Sequence, residues 1–402
     1  MTTILIIGTL DTKGAEFAFV RDLIRQRGHD TLVIDAGIFE PGFTADIPAD
    51  SVAKAGGGDL ATLRSSNDRG NAVTVMMNGI AALVPKLYAD GRFQGVIGLG
   101  GSGGTAIATA GMRALPVGVP KVMVSTVASG DVAPYVDVKD ICMMYSVVDI
   151  AGLNKLSRRI LANAAGMVCG AVEQTVPDAE DRPLISATMF GVTTPCVTRM
   201  RERFDAAGYE VLVFHATGTG GRAMEALIDG GYIAGVADVT TTEWCDQLVG
   251  GVLSAGEHRL EAAGKRGIPQ VVSVGALDMV NFWAIDTVPE RFKGRNLYQH
   301  NANVTLMRTT PEENAQLGRI IADKLNAAAG KTVLFLPLKG VSMIDDVDKA
   351  FYDPAADQAL FDAIRAHIKP PVELVELDLH INDPAFADAM SDRLLALLAQ
   401  GE

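Results

Sequence analysis

Short aliphatic runs alternate with longer amphipathic segments from one end of the chain to the other, a pattern that predicts βαβ units and mainly parallel sheets. In the first half the strand candidates are Thr3 to Gly8, Thr31 to Asp35, Gly95 to Gly98 and Lys121 to Ser125, with helices near 13–27, 72–90 and 104–114. The second half repeats the scheme, with strands near 184–189, 210–214, 233–237, 269–274, 332–336 and 372–377 and helices near 193–207, 220–229, 312–328 and 384–399. Between Glu40 and Asn71 no period is sustained, and Pro41, Pro48 and the glycines 56 to 58 make the segment read as a mobile insertion. The polar, proline-flanked stretch from Ala171 to Pro183 marks a boundary between domains 1–176 and 177–402. The expected architecture is α/β, two Rossmann-like subdomains with an inter-domain cleft in which a ligand would sit.

Composition supports this class: 402 residues exceed what one core usually serves, and 48% hydrophobic residues with 42 glycines and 6% aromatics suit buried aliphatic strands and tight turns. With 35 basic against 48 acidic side chains the net charge of -13 argues against nucleic acid as a partner. Cys142, Cys169, Cys196 and Cys245 are far apart and form no metal-ligand or redox spacing. The N-terminus shows no export signal, and no stretch reaches the roughly 18 uninterrupted apolar residues of a membrane span. The expectation is a cytoplasmic protein without a membrane partner.

The sharpest chemical signal is Gly95 to Thr105, a strand running through six glycines into a helix. In such a loop the N–H groups of Gly100, Gly101, Ser102, Gly103, Gly104 and Thr105 can approach phosphate oxygens, and the helix N-terminus favours the negative charge. The alternative is a turn whose glycines serve only close helix-to-strand packing. Gly98, Gly100 and Gly103 satisfy G-x-G-x-x-G, but the next strand ends at Ser125 and Thr126 rather than in the acidic residue a dinucleotide site requires.

At the first strand end, Thr9, Asp11, Thr12 and Lys13 lie on the carboxyl edge of the presumed sheet, where open α/β folds bind ligands. Lys13 could pair with phosphate and Asp11 hold magnesium through water, unless Asp11 or Thr12 simply caps the helix. Asp35 is placed to bind ribose hydroxyls or to cap a turn, and the hydroxyls of Ser125 and Thr126 suit phosphate or sugar. In the second half, Phe214 to Glu225 repeats strand, glycine loop and helix, so Gly218, Thr219, Gly220, Gly221 and Arg222 could bind the carboxylate or phosphate of a second ligand. His215, Glu243, His300 and Lys339 fall between regular elements and are candidates for proton transfer or anion binding, against the more ordinary reading of polar loop residues.

Taken in order, GTLDTKGAE, VIDAG, IGLGGSGGT, FHATGTGGRAME, DVTTTEW, HNANVTLMRTTPEE and PLKGVSMID resemble the Tm-one-like ATP-binding domain family over essentially the whole chain. That family includes bacterial proteins of uncharacterised function and the N-terminal part of a plant protein that inhibits tomato mosaic virus replication. The resemblance implies two Rossmann-like subdomains, ATP as ligand with magnesium as its optional companion, and a homodimer. It departs at Asn301-Ala302-Asn303, where the family pattern favours proline after His-Asn. Two functions compete: a nucleotide-binding protein with a regulatory or metabolic role, and an enzyme of small-molecule catabolism. The enzyme would take a small anionic metabolite in the cleft, with His215, Glu243 and Lys339 catalytic and the Gly218 to Arg222 loop and His300 binding substrate.

Overall fold

The computed structural model describes residues 2–66, 68–177 and 181–400, and the chain falls into two compact units, Met1–Asp178 and Ala179–Glu402. In the first unit the order is β1 (Thr3–Gly8), α1 (Leu10–Gln26), β2 (Asp30–Asp35), α2 (Ala49–Ala55), α3 (Leu60–Ser66), α4 (Arg69–Ala89), β3 (Gly95–Gly100), α5 (Ser102–Arg113), β4 (Lys121–Ser125), α6 (Ala133–Val136), β5 (Cys142–Tyr145) and α7 (Lys155–Glu173). The strands pair in the order β2-β1-β3-β4-β5, all parallel. Because parallel strands are covered on both faces, β1 and β3 read as unbroken apolar runs. Leu5 and Ile7 face one layer with Val52, Met76, Ile80 and Ile107, while Ile4 and Ile6 face the other with Phe17, Val20, Leu161 and Val168.

The described residues of the segment from 40 to 71 form a packed layer rather than a mobile insertion. A Cβ on Gly56 would lie 2.0 Å from the Val75 carbonyl oxygen, and one on Gly79 2.0 Å from that of Val52, so the backbones around α2 and α4 touch. Its periodicity escapes notice because α2 and α3 have seven residues each, two turns, too short for an apolar stripe to repeat. Among the described residues α4 alone is long and apolar enough to cross a membrane by length and composition; it contains Pro85 and packs Ile80 and Val84 against Gly111 of α5.

The second unit runs β6 (Leu184–Met189), α8 (Thr194–Ala206), β7 (Glu210–His215), α9 (Thr219–Asp229), β8 (Ile233–Thr240), α10 (Glu243–Val249), α11 (Ala262–Arg266), β9 (Gln270–Gly275), β10 (Met279–Phe282), β11 (Leu297–Asn301), β12 (Val304–Arg308), α12 (Pro311–Asn326), β13 (Thr332–Pro337), α13 (Pro354–His367), β14 (Glu373–Leu377) and α14 (Pro384–Leu398). Its main sheet is parallel, β14-β13-β9-β8-β6-β7, and a small antiparallel sheet, β10-β12-β11, accompanies it. Both units are therefore Rossmann-like α/β layers. The antiparallel sheet, together with β5, α7 and α13, adds elements that the coarse alternation of apolar runs leaves out.

Candidate functional site

In the five-stranded sheet the strand order reverses between β1 and β3, and open α/β sheets bind ligands beyond the carboxyl ends of the strands at such a point. A cavity of about 690 Å³ opens there, lined by the ends of β1, β2 and β3 and by α3, α4 and α5. It gathers Thr9, Asp11, Thr12, Lys13, Gly101, Ser102, Gly103, Gly104 and Thr126 into one wall. Leu63, Ala72, Val73, Met76 and Ile107 add an apolar surface, of which Leu63 comes from the segment expected to be mobile. The lining thus combines N–H and hydroxyl groups with hydrocarbon.

The glycines of the β3–α5 loop divide into two sets. A Cβ on Gly98 would meet Ala108 at 2.7 Å, and one on Gly100 would meet the Gly104 backbone at 2.8 Å, so packing demands glycine at both. At Gly101 the nearest atom would be 3.7 Å away, at Gly103 3.6 Å and at Gly104 3.4 Å, and none of the three has positive φ. Neither packing nor backbone conformation requires glycine where the loop lines the cavity. Gly101 is the N-cap of α5 and has no side chain to cap with, which leaves the first-turn N–H groups of Ser102, Gly103 and Gly104 without helical acceptors at the cavity wall.

Four of the sequence candidates stand behind this surface. Thr105 and Ser125 are fully buried and share a 2.6 Å hydroxyl contact, and Ser125 Oγ accepts from Val127 N–H at 3.1 Å; the pair ties α5 to the end of β4. Gly100 supplies its carbonyl to Thr126 N–H. Asp35 is buried, and its Oδ1 accepts from Leu10 N–H at 3.1 Å and Gly37 N–H at 2.9 Å. It caps the start of α1 and braces the turn after β2 in place of facing a ribose; burial raises its pKa.

The charged groups at the cavity are mostly engaged. Asp11 Oδ2 accepts from Ile38 and Phe39 N–H, each at 3.0 Å, while its Oδ1 is shielded from solvent without a partner. Lys13, where α1 departs from helical geometry, donates its Nζ to the Ile150 carbonyl at 2.5 Å. Arg64 donates to the carbonyls of Ile38 and Phe39. Asp68 caps α4 by accepting from Asn71 N–H at 3.0 Å, and Asp149 accepts from Ile150 N–H. Arg64, Asp68, Arg69 and Asp149 escape a motif search. The signal that could have extended the helix expected at 72–90 back to Arg69 is Asp68, a capping residue ahead of Ala72, Val73, Met76 and Ile80 at helical spacing.

The second glycine loop resembles the first in sequence and differs in space. Glu243, buried at the start of α10, accepts from Gly218 N–H at 2.7 Å and Gly221 N–H at 3.1 Å through Oε1, and from Arg259 Nε at 2.7 Å through Oε2. A Cβ on Gly221 would fall 2.2 Å from that carboxylate, one on Gly220 1.9 Å from the His215 carbonyl oxygen, and Gly218 has φ +82°. These glycines are needed for packing, and the anion on the loop is the protein's own Glu243. Thr219, exposed, and Arg222, half-buried, follow in the first turn of α9.

The other candidates are scattered over the second unit. His215 is exposed at the end of β7 with its ring 5.2 Å from that of Phe190. Exposed Lys339 pairs with Asp378 at 2.9 Å in the turn after β13. His300 lies on β11 beside Tyr298, on a strand rather than in a loop. No hydrogen bond or ion pair among the described residues joins any two of His215, Glu243 and Lys339.

Compared with known proteins, residues 2–177 match the N-terminal domain model of an uncharacterised protein family, UPF0261, and residues 182–398 its C-terminal domain model. A UPF0261 protein of Clostridium tetani is 56% identical over 398 residues, covering 98% of each chain. One from Rhizobium meliloti is 52% identical over 97% of each chain. The ToMV susceptible protein tm-1(GCR26) of Solanum lycopersicum is 40% identical over 98% of this chain, which corresponds to 55% of the tomato protein. Among solved structures, UDP-N-acetylglucosamine 2-epimerase from Rickettsia bellii aligns with 100% of this chain and 96% of its own at 9% identity and a TM-score of 0.21, too low to bear on function.

Proposed function

Since the chain belongs to UPF0261, a family described as uncharacterised and with tomato tm-1 among its relatives, we propose its function from the cavity itself: the first unit binds a phosphate-bearing nucleotide, ATP. The observation that carries the reading is the room left at Gly101, Gly103 and Gly104, glycines that the protein's own packing does not require and that keep the start of α5 bare. Bare N–H groups at a helix N-terminus suit phosphate. The apolar wall of Leu63, Val73, Met76 and Ile107 suits the uncharged remainder of the ligand, and the volume falls within the roughly 300–1,000 Å³ of small-molecule pockets. The resemblance to ATP-binding domains supports ATP over other phosphate ligands. Magnesium enters this proposal as counter-ion to the phosphates, because Asp11 spends Oδ2 on backbone N–H groups and its Oδ1 is shielded.

Calorimetric titration with ATP, with and without magnesium, tests the reading on the wild type and Gly103→Ala. The variant is expected to bind at least about tenfold more weakly, as a methyl group holds the phosphate off the N–H groups, a loss of about 1.4 kcal/mol. Its thermal midpoint should stay level or rise, since alanine is favoured over glycine within a helix by up to about 1 kcal/mol. Undiminished affinity in the variant would remove the phosphate from this turn, and no saturation of the wild type at millimolar ATP would end the nucleotide reading. Sedimentation of the same samples checks the homodimer proposed with it.

A further inference from the structure

We infer that Arg69 reads the number of phosphates on the ligand, an inference that rests on the nucleotide reading above. Six charged side chains line the cavity, Asp11, Asp68 and Asp149 against Lys13, Arg64 and Arg69, and their formal charges cancel. A ligand carrying additional phosphates therefore needs a cation that is not already committed. Lys13 is held by the Ile150 carbonyl, and Arg64 by the carbonyls of Ile38 and Phe39. Arg69 is exposed and has no hydrogen-bond or ion-pair partner among the described residues; its neighbour Asp68 is occupied in capping Asn71.

The position of Arg69 fits the task. Val73 approaches the place where a Cβ on Gly103 would sit to 3.6 Å, which sets α4 directly against the first turn of α5. Arg69 lies four residues earlier on the same face of α4, about one turn or 5–6 Å along it. A phosphate on the α5 N–H groups would leave the next phosphates within range of a long, exposed guanidinium. That group's planar fork of donors matches phosphate oxygens bidentately, which the compact ammonium of lysine does not reproduce. A merely solvated surface arginine would have the same exposure but no preference among ligands of one nucleoside.

The experiment is titration of wild type, Arg69→Ala, Arg69→Lys and Gly103→Ala with AMP, ADP and ATP at fixed ionic strength, with thermal melts confirming that each variant is folded. The wild type is expected to favour ATP over AMP. Arg69→Ala should lose about 10- to 100-fold in affinity for ATP, the range for a hydrogen bond between charged groups, and keep AMP affinity within about threefold. Arg69→Lys should fall between. An equal loss for all three nucleotides, or none for ATP, overturns the role of Arg69 while the nucleotide reading stands on Gly103→Ala. Failure of the wild type to bind any of the three removes both.

Discussion

Replacing Arg259 with methionine is expected to cost about 3–5 kcal/mol of stability, the penalty for removing one partner from a buried ionic network. Arg259 is 1% exposed and contacts three carboxylates: Asp238 at 2.5 Å, Glu243 at 2.7 Å and Glu225 at 3.3 Å. Burial by itself would lower its pKa, but the attraction of Asp238, Glu243 and Glu225 outweighs that and holds the guanidinium well above its ordinary value. Methionine fills a similar volume and leaves the carboxylates facing each other without a cation. Glu243 would then lose the group that aims it, and with it the N–H groups of Gly218 and Gly221 would lose a fixed acceptor. Urea unfolding at pH 7 measures the loss; at pH 5.5 the deficit should shrink, because Glu225, whose pKa burial raises, loses the Arg259 charge that counters the rise and takes up a proton more readily in the folded variant. Arg259→Lys should recover part of it, since an ammonium keeps the charge without the two-sided fork. A methionine variant within 1 kcal/mol of wild type at pH 7 would show that the network does not hold the loop.

That network explains why two glycine loops that read alike in the sequence differ in the structure. Both read as strand, glycines and helix start. The distinction between them is made by a carboxylate that is 22 residues beyond Gly221 along the chain and folds back onto it. No local pattern announces such a return. The strands β1, β3 and β4 were readable because burial on both faces demands aliphatic runs. Short β5, with Cys142 and Tyr145 exposed, carries no such run, and α2 and α3 are too brief to show a period. Part of the cavity's lining was hidden in the same region: Leu63, Arg64, Asp68 and Arg69 belong to a stretch whose prolines and glycines suggest a loose loop, although Gly56 and Gly79 are in fact the places where two helices touch. Asp35 illustrates the opposite case, in which the position was right and the partner was backbone.

Stability is also expected to fall as pH rises from about 5 to 8, and Asp278→Asn should flatten that fall. Asp278 is fully buried; its Oδ2 accepts from Ser342 Oγ at 2.7 Å and its Oδ1 has no partner. Burial, reinforced by the neighbouring Asp345 carboxylate, pushes its pKa up to about 8. Burial and Asp345 likewise raise Asp357 to about 7, and burial raises Asp345. Arg308, bonded to Asp357 at 2.6 Å, lies among the three acids. The folded protein therefore keeps protons that the unfolded chain, with carboxyl pKa values near 4, releases above about pH 5. The unfolded state binds fewer protons in this window, so the slope of stability against pH is negative, about 1.4 kcal/mol per pH unit for each proton retained. The contribution is fully present below the unfolded pKa and is lost as pH rises through the folded one. Asparagine keeps the acceptor for Ser342 and has no proton to lose. Denaturant unfolding at pH 5, 6, 7 and 8 should give Asp278→Asn a slope shallower than wild type by about 1.4 kcal/mol per unit, with the variant the more stable protein at pH 8. The overall charge of -13 also weakens the fold at high pH, but it acts on both proteins alike, so the difference between their slopes isolates Asp278. Parallel slopes would mean that Asp278 is ionised in the folded protein across this range and that Arg308 neutralises it along with its neighbours.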